Sequence, residues 1–132
     1  MKYRIDYQGT HDIDWFFQLD GKVYHAASNG GKLPDKIDST TNRKLQLATE
    51  SLKEIYEVKV ADDVQADLES YGEIGSFKSY AAKGFISLDC RIDYPEDPHY
   101  HTIAFPKNGE TIKDKYILGL LPELSETDIT ID

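Results

Sequence analysis

Cysteine is almost missing from this chain. Cys90 is the only one in 132 residues, so no disulfide can form within it. Long apolar runs are missing too: no stretch approaches the roughly 20 residues that a membrane helix requires, and no Asn begins an Asn-x-Ser/Thr acceptor. The opening residues, MKYRIDYQGTHD, carry charge throughout and lack the apolar segment of a secretory signal. Positive charge is in deficit, with 15 Lys and Arg against 24 Asp and Glu, a formal net charge of −9. A surface this acidic repels phosphate backbones and anionic lipid. General nucleic-acid binding and membrane attachment are therefore not expected. Together these absences fit a cytoplasmic protein, although an exported chain already freed of its signal would read the same.

The familiar cofactor signatures are absent as well. Gly30-Gly31-Lys32 does not sit in a G-x-x-x-x-G-K-[ST] frame, and no dinucleotide glycine fingerprint, H-E-x-x-H or cysteine pair occurs. No cofactor is expected. What the chain does hold is aromatic: nine tyrosines, five phenylalanines and one tryptophan, Trp15. That content argues against disorder, and the length suits one globular domain spanning 1–132.

The order of apolar patterns predicts an α+β fold. Strand alternation runs through KYRIDY, with Tyr3, Ile5 and Tyr7 on one face. IDWFFQL and KVYHAAS flank Asp20-Gly21, the dipeptide of a two-residue hairpin. NGGKLPDKID, 29–38, breaks regular structure with two glycines and Pro34. Leu45, Ala48, Leu52 and Ile55 then form one helical stripe, predicting a helix over about 40–57 capped by Asp38 or Ser39. A second helix begins at Asp62 or Asp63, carries Val64, Leu68 and Tyr71, and ends at Gly72; a third spans Ser76 to Lys83 with Gly84 as its stop. FISLDCRI alternates again, placing Ile86, Leu88, Cys90 and Ile92 together, and HYHTIAF, KYILGLL and DITID read as further strands. The expectation is a mostly antiparallel sheet covered on one side by two or three helices, in the order βββ-ααα-βββ.

DYPEDPHYH, 93–101, gathers carboxylates, prolines and histidines. If YPEDP connects two strands, Ile92 lies opposite His101 and Cys90 opposite Ile103. His99 and His101 then point the same way, and Asp97 offers a third metal ligand. The competing reading is a rigid solvated turn made by Pro95 and Pro98. Cys90 with His99 or His101 as base would make a nucleophile, but Cys90 sits on an apolar stripe, where a thiol packs as a small hydrophobe. HAASNGGK supplies a candidate ligand- or partner-binding loop of His25, Ser28, Asn29, Gly30, Gly31 and Lys32, whose backbone N–H groups and one cation suit an anion. Asp12 and Asp14, ahead of Trp15, read as carboxylates facing water. With no coherent catalytic set, the sequence favours an acidic binding domain that engages a protein partner. The rivals are a small hydrolase or transferase built on Cys90 or on His25, His99 and His101, and an anion site at Asn29–Lys32.

Overall fold

The computed structural model describes residues 1–91 and 97–132. Its elements in chain order are α1 (Ile5–Thr10), β1 (Asp14–Leu19), β2 (Lys22–Ala27), α2 (Ser39–Glu50), β3 (Val58–Val60), α3 (Asp62–Ala66), α4 (Leu68–Tyr71), α5 (Gly75–Ala82), β4 (Ile86–Arg91), β5 (His99–Pro106), α6 (Lys115–Leu120) and β6 (Thr130–Ile131). The class is α+β. The strands form one mixed sheet in the order β1-β2-β4-β5-β3, with β6 also on β5. β1–β2, β4–β5 and β3–β5 pair antiparallel, whereas β2–β4 and β5–β6 pair parallel. No helix among the described residues is long and apolar enough to cross a membrane.

Asp20 and Gly21 make the first hairpin, both at positive φ, 49° and 75°, as a two-residue turn of this hand demands. The turn sets the register, pairing Leu19 with Lys22 and Phe16 with His25. Alternation along β1 then divides its aromatics. Trp15 and Phe17 enter one core with Ala26, Leu88, Cys90 and Tyr100, and Phe16 enters another with Leu45, Phe85 and Ile117. The Phe16 face is roofed by α2, α5 and α6. The Trp15 face is roofed by irregular chain carrying Leu33, Ile37, Leu124 and Ile129. All three β1 aromatics are fully buried, each contributing about 2–3 kcal/mol of transfer free energy.

Several expected elements differ. Tyr3–Tyr7 is not a strand: α1 winds there, and Tyr3, Tyr7 and His11 stack four residues apart at 5.8 and 3.8 Å, a helical spacing that overrides the alternation. The helix predicted over about 40–57 stops at Glu50. The N–H groups of Ile55 and Tyr56 donate instead to the Ala82 carbonyl at 3.0 and 2.9 Å, which pulls the chain out of the helix and leaves Ile55 exposed. The second helix breaks in two at Asp67, whose φ of −144° is not helical. KYILGLL forms α6 rather than a strand, because Asp114 accepts from the Ile117 N–H at 3.0 Å and caps it. α5 and β4 lie where the sequence placed them, with Gly84 (φ +109°) ending the helix turn.

The β4–β5 register also departs from expectation. Cys90 faces Tyr100 and Asp89 faces His101, a shift by an odd number of residues, which turns every side chain to the other face of the sheet. The large ring of Tyr100 takes the core position beside Trp15, whose indole N–H donates to its hydroxyl at 3.3 Å. A bulge between Ser87 and Leu88 restores Ser87 to Ala104. The connection read in YPEDP lies outside the described residues from Tyr94 to Glu96.

Two glycines separate backbone demand from helix propensity. A Cβ on Gly84 would meet the Ile112 amide nitrogen at 2.6 Å at a φ that L-residues avoid, whereas one on Gly119, inside α6, meets nothing within 4 Å. Gly84→Ala is expected to cost more than about 2 kcal/mol, and Gly119→Ala to add about 0.5–1 kcal/mol. Urea unfolding of both variants measures the two signs.

Candidate functional site

The helix-covered face of the sheet carries two polar rows. The register sets Phe16, His25, Ser87 and Ala104 side by side across four strands, and beside them Asp14, Ala27, Asp89 and His101. His25 is wholly buried. Its Nδ1 lies 2.7 Å from Ser87 Oγ and its Nε2 2.8 Å from Asp14 Oδ1. A carboxylate only accepts, so the ring proton sits on Nε2 and the Ser87 hydroxyl donates to Nδ1. Tyr80 of α5 stacks on the imidazole at 3.7 Å and 17°. Burial pushes the His25 imidazole toward its neutral form, against the pull of Asp14 and Asp12.

This is the bonding order of a Ser-His-Asp hydrolase with the two ring nitrogens exchanged. Ser87, the second residue of β4, is fully buried, so no substrate carbonyl reaches its Oγ in this conformation. The set ties β1, β2 and β4 together beneath α5.

In the second row, the His101 Nε2–H donates to Asp63 Oδ2 of α3 at 2.7 Å, and the ring stacks on Tyr71 of α4 at 5.6 Å. Its Nδ1 is buried and has no partner among the described residues. Asp89, opposite, is a half-buried carboxyl pushed up to about 6, chiefly by burial and then by the charge of Asp12, with a Cys90 backbone hydrogen bond and His101 pulling the other way. It makes no ion pair with a Lys or Arg among the described residues.

The residues singled out from sequence are dispersed over this frame. Cys90 lies on the Trp15 face, buried, its thiol pushed up to about 11 by burial and by Asp89. His101 lies on the opposite face, so strand alternation separates the thiol from the imidazole. His99 shares the side of His101 but is engaged by Asp132 Oδ1 at 3.3 Å. Asp97 lines a groove of about 280 Å³ with Lys32, Asp35, Pro98 and Asp128. No group of three His, Cys, Asp or Glu among the described residues converges as a metal requires.

In the loop after β2, the N–H groups turn inward. Asn29 donates to Asp12 Oδ1 at 2.8 Å, Gly30 to the His11 carbonyl at 3.2 Å and Gly31 to the Ser28 carbonyl at 2.7 Å. Ser28 is buried, accepting from the Ile13 N–H at 2.8 Å. Gly31 leaves no room for a side chain, since a Cβ would stand 3.0 Å from Cys90 Sγ. Of the candidate loop residues, Asn29 and Lys32 are exposed, whereas Ser28 and Gly31 are buried. His25 lies apart from that loop surface, under α5.

Asp14 faces His25 as well as water, and that link was readable: the Asp20-Gly21 turn makes the two residues diagonal neighbours on one face. Ser87 and Asp89 join them through the parallel β2–β4 pairing, and Asp63 and Tyr71 through α3 and α4. Those approaches leave no local sequence signal. A further groove of about 440 Å³ opens on the Trp15 face over Tyr24, Ile86, Thr102, Phe105 and Ile131. No protein-family model, curated protein or solved structure matches the chain.

Asp89 yields a pH-dependent expectation. Its folded value, about 6, exceeds its ordinary 3.8, so its contribution is most favourable in acid and is lost as pH rises through about 6. Asp89→Asn mimics the protonated carboxyl. It should raise the urea midpoint at pH 7.5 and raise it less at pH 5.0. An unchanged or lowered midpoint at pH 7.5 contradicts that view of the site.

Proposed function

We propose that this protein works by binding a basic protein partner, without catalysis, through the acidic face of α3 and α4. The observation that carries the reading is charge placement. Between Val60 and Phe77 stand Asp62, Asp63, Asp67, Glu69 and Glu73, with no Lys or Arg, and all five carboxylates are exposed. Leu68 sits among them 41% exposed. An apolar contact ringed by like charge offers desolvation at its centre and steering at its rim. Pairing at the margins, Lys59 with Asp62 at 3.5 Å and His101 with Asp63 at 2.7 Å, leaves Asp67, Glu69 and Glu73 without a cation among the described residues.

The same charge disfavours nucleic acid and anionic lipid as ligands. The burial of Ser87 and of the Cys90 thiol supports binding over chemistry. A lone unpaired cysteine is also in keeping with the reducing cytoplasm, where we place the protein.

The test is affinity capture from the native host at low and moderate salt, followed by titration of the purified captured protein. A basic partner is expected, bound at least about tenfold more weakly at 0.5 M salt, where charge is screened within a few ångströms, and by a D67K/E69K/E73K variant. A partner held equally well by that variant, or no partner at either salt, overturns the reading.

A further inference from the structure

We propose that His25 is a proton-operated latch: charging its imidazole releases α5 from the sheet while the strands stay paired. The inference is independent of the partner-binding reading and concerns only the fold's response to acid.

The neutral ring is fully bonded, receiving from Ser87 Oγ at 2.7 Å and donating to Asp14 Oδ1 at 2.8 Å. A second proton on Nδ1 confronts a hydroxyl that is already donating, which must turn its hydrogen away into a dry site. The charge also enters a position without solvent exposure. The groups facing it come from every covering element. β1 supplies Asp14 and Phe16, the preceding loop Asp12, β4 Ser87, α5 Tyr80 and Phe77, and the residue that follows α5 is Lys83. Asp14 and Asp12 favour the charged ring; burial and Lys83 oppose it, and burial is the largest influence.

The charge is therefore relieved by admitting water, and the structure shows which cover lifts. β1 and β4 are held by ladders of backbone hydrogen bonds. α5 is eight residues long, has no side-chain cap at its N-terminus, and meets the ring through Tyr80 and Phe77. Glycines stand at both ends, Gly72 (φ +66°) before it, Gly75 as its first residue and Gly84 (φ +109°) after it, positions where backbone rotation costs least. Lifting α5 frees the Ala82 carbonyl from the Ile55 and Tyr56 N–H groups and uncovers Ala81 beside Val64 of α3.

Amide hydrogen exchange at pH 7.5 and 5.0, corrected for intrinsic rates, tests the latch in wild type and in His25→Gln. An imidazole of ordinary value 6.5 that binds its proton only in the open state raises the open population about thirtyfold between those pH values. The expected result is a 10- to 30-fold loss of protection over 78–85 at pH 5.0, with β1 and β2 unchanged. His25→Gln should show no such loss, and because it retains Asp89 and His101, the difference isolates His25. Equal α5 protection at both pH values, an unchanged pH response in His25→Gln, or simultaneous loss in β1 and β2 overturns the proposal. Should His25→Gln not fold, an NMR titration of the wild type decides. α5 resonances must change with the midpoint of the His25 ring, and a His25 that stays neutral while α5 opens refutes the latch.

Discussion

A sheet covered on both faces must fill each inward position with an apolar group, or with a polar one whose bonds are complete. β1 meets that demand with Trp15 and Phe17 on one side and Phe16 on the other. β2 places His25 next to Phe16, where a further apolar ring would have served packing alone. The imidazole is accommodated because Ser87 and Asp14 complete both ring nitrogens and Tyr80 covers its plane. Breaking one partner of such a set leaves a buried polar atom unsatisfied, which costs about 1–3 kcal/mol. β1, β2, β4 and α5 are thereby held to one mutual geometry, and the acidic helices beyond α5 are positioned in turn.

Much of the local structure was legible. Asp20-Gly21 between two apolar runs gave the first hairpin and its register; Phe77, Tyr80 and Ala81 before Gly84 gave α5; alternation through Leu88 and Cys90 gave β4 and its buried face. The misreadings share a physical origin. KYRIDY and KYILGLL are short segments compatible with either period, and packing decided them: Tyr7 stacks on Tyr3 and His11, and Ile117 and Leu121 fit against Leu45 and Phe85. The β4–β5 register could not be obtained from the length of its connection. The contest was between Tyr100 and His101 for the face beside Trp15, and the larger apolar ring won.

The polar rows were half legible. Asp14 and His25 lie within one hairpin, and its turn relates them. Ser87 and Asp89 arrive through a parallel pairing, Ser87 standing 62 positions from His25, and Asp63 through a helix seated on β5 by Val64. Alternation had separated Ser87 and Asp89 from the apolar stripe of β4, but nothing in sequence said what covered them. Asp89 is the residue whose presence stability does not explain. Half-buried beside Asp12 and with no Lys or Arg paired to it among the described residues, its carboxyl is pushed up to about 6, and together with the carboxylates of α3 and α4 it adds to the negative charge on the helix-covered face.

The account turns on a neutral, doubly bonded imidazole at the centre of the sheet. The direct measurement is the long-range ¹H–¹⁵N spectrum of the histidine side chains at pH 7.5. His25 should show a single Nε2–H tautomer with a slowly exchanging ring proton and an unprotonated Nδ1 shifted by an incoming hydrogen bond. An imidazolium pattern, or two tautomers averaging with rapid solvent exchange, would contradict the buried relay and the arrangement of strands and helix built upon it.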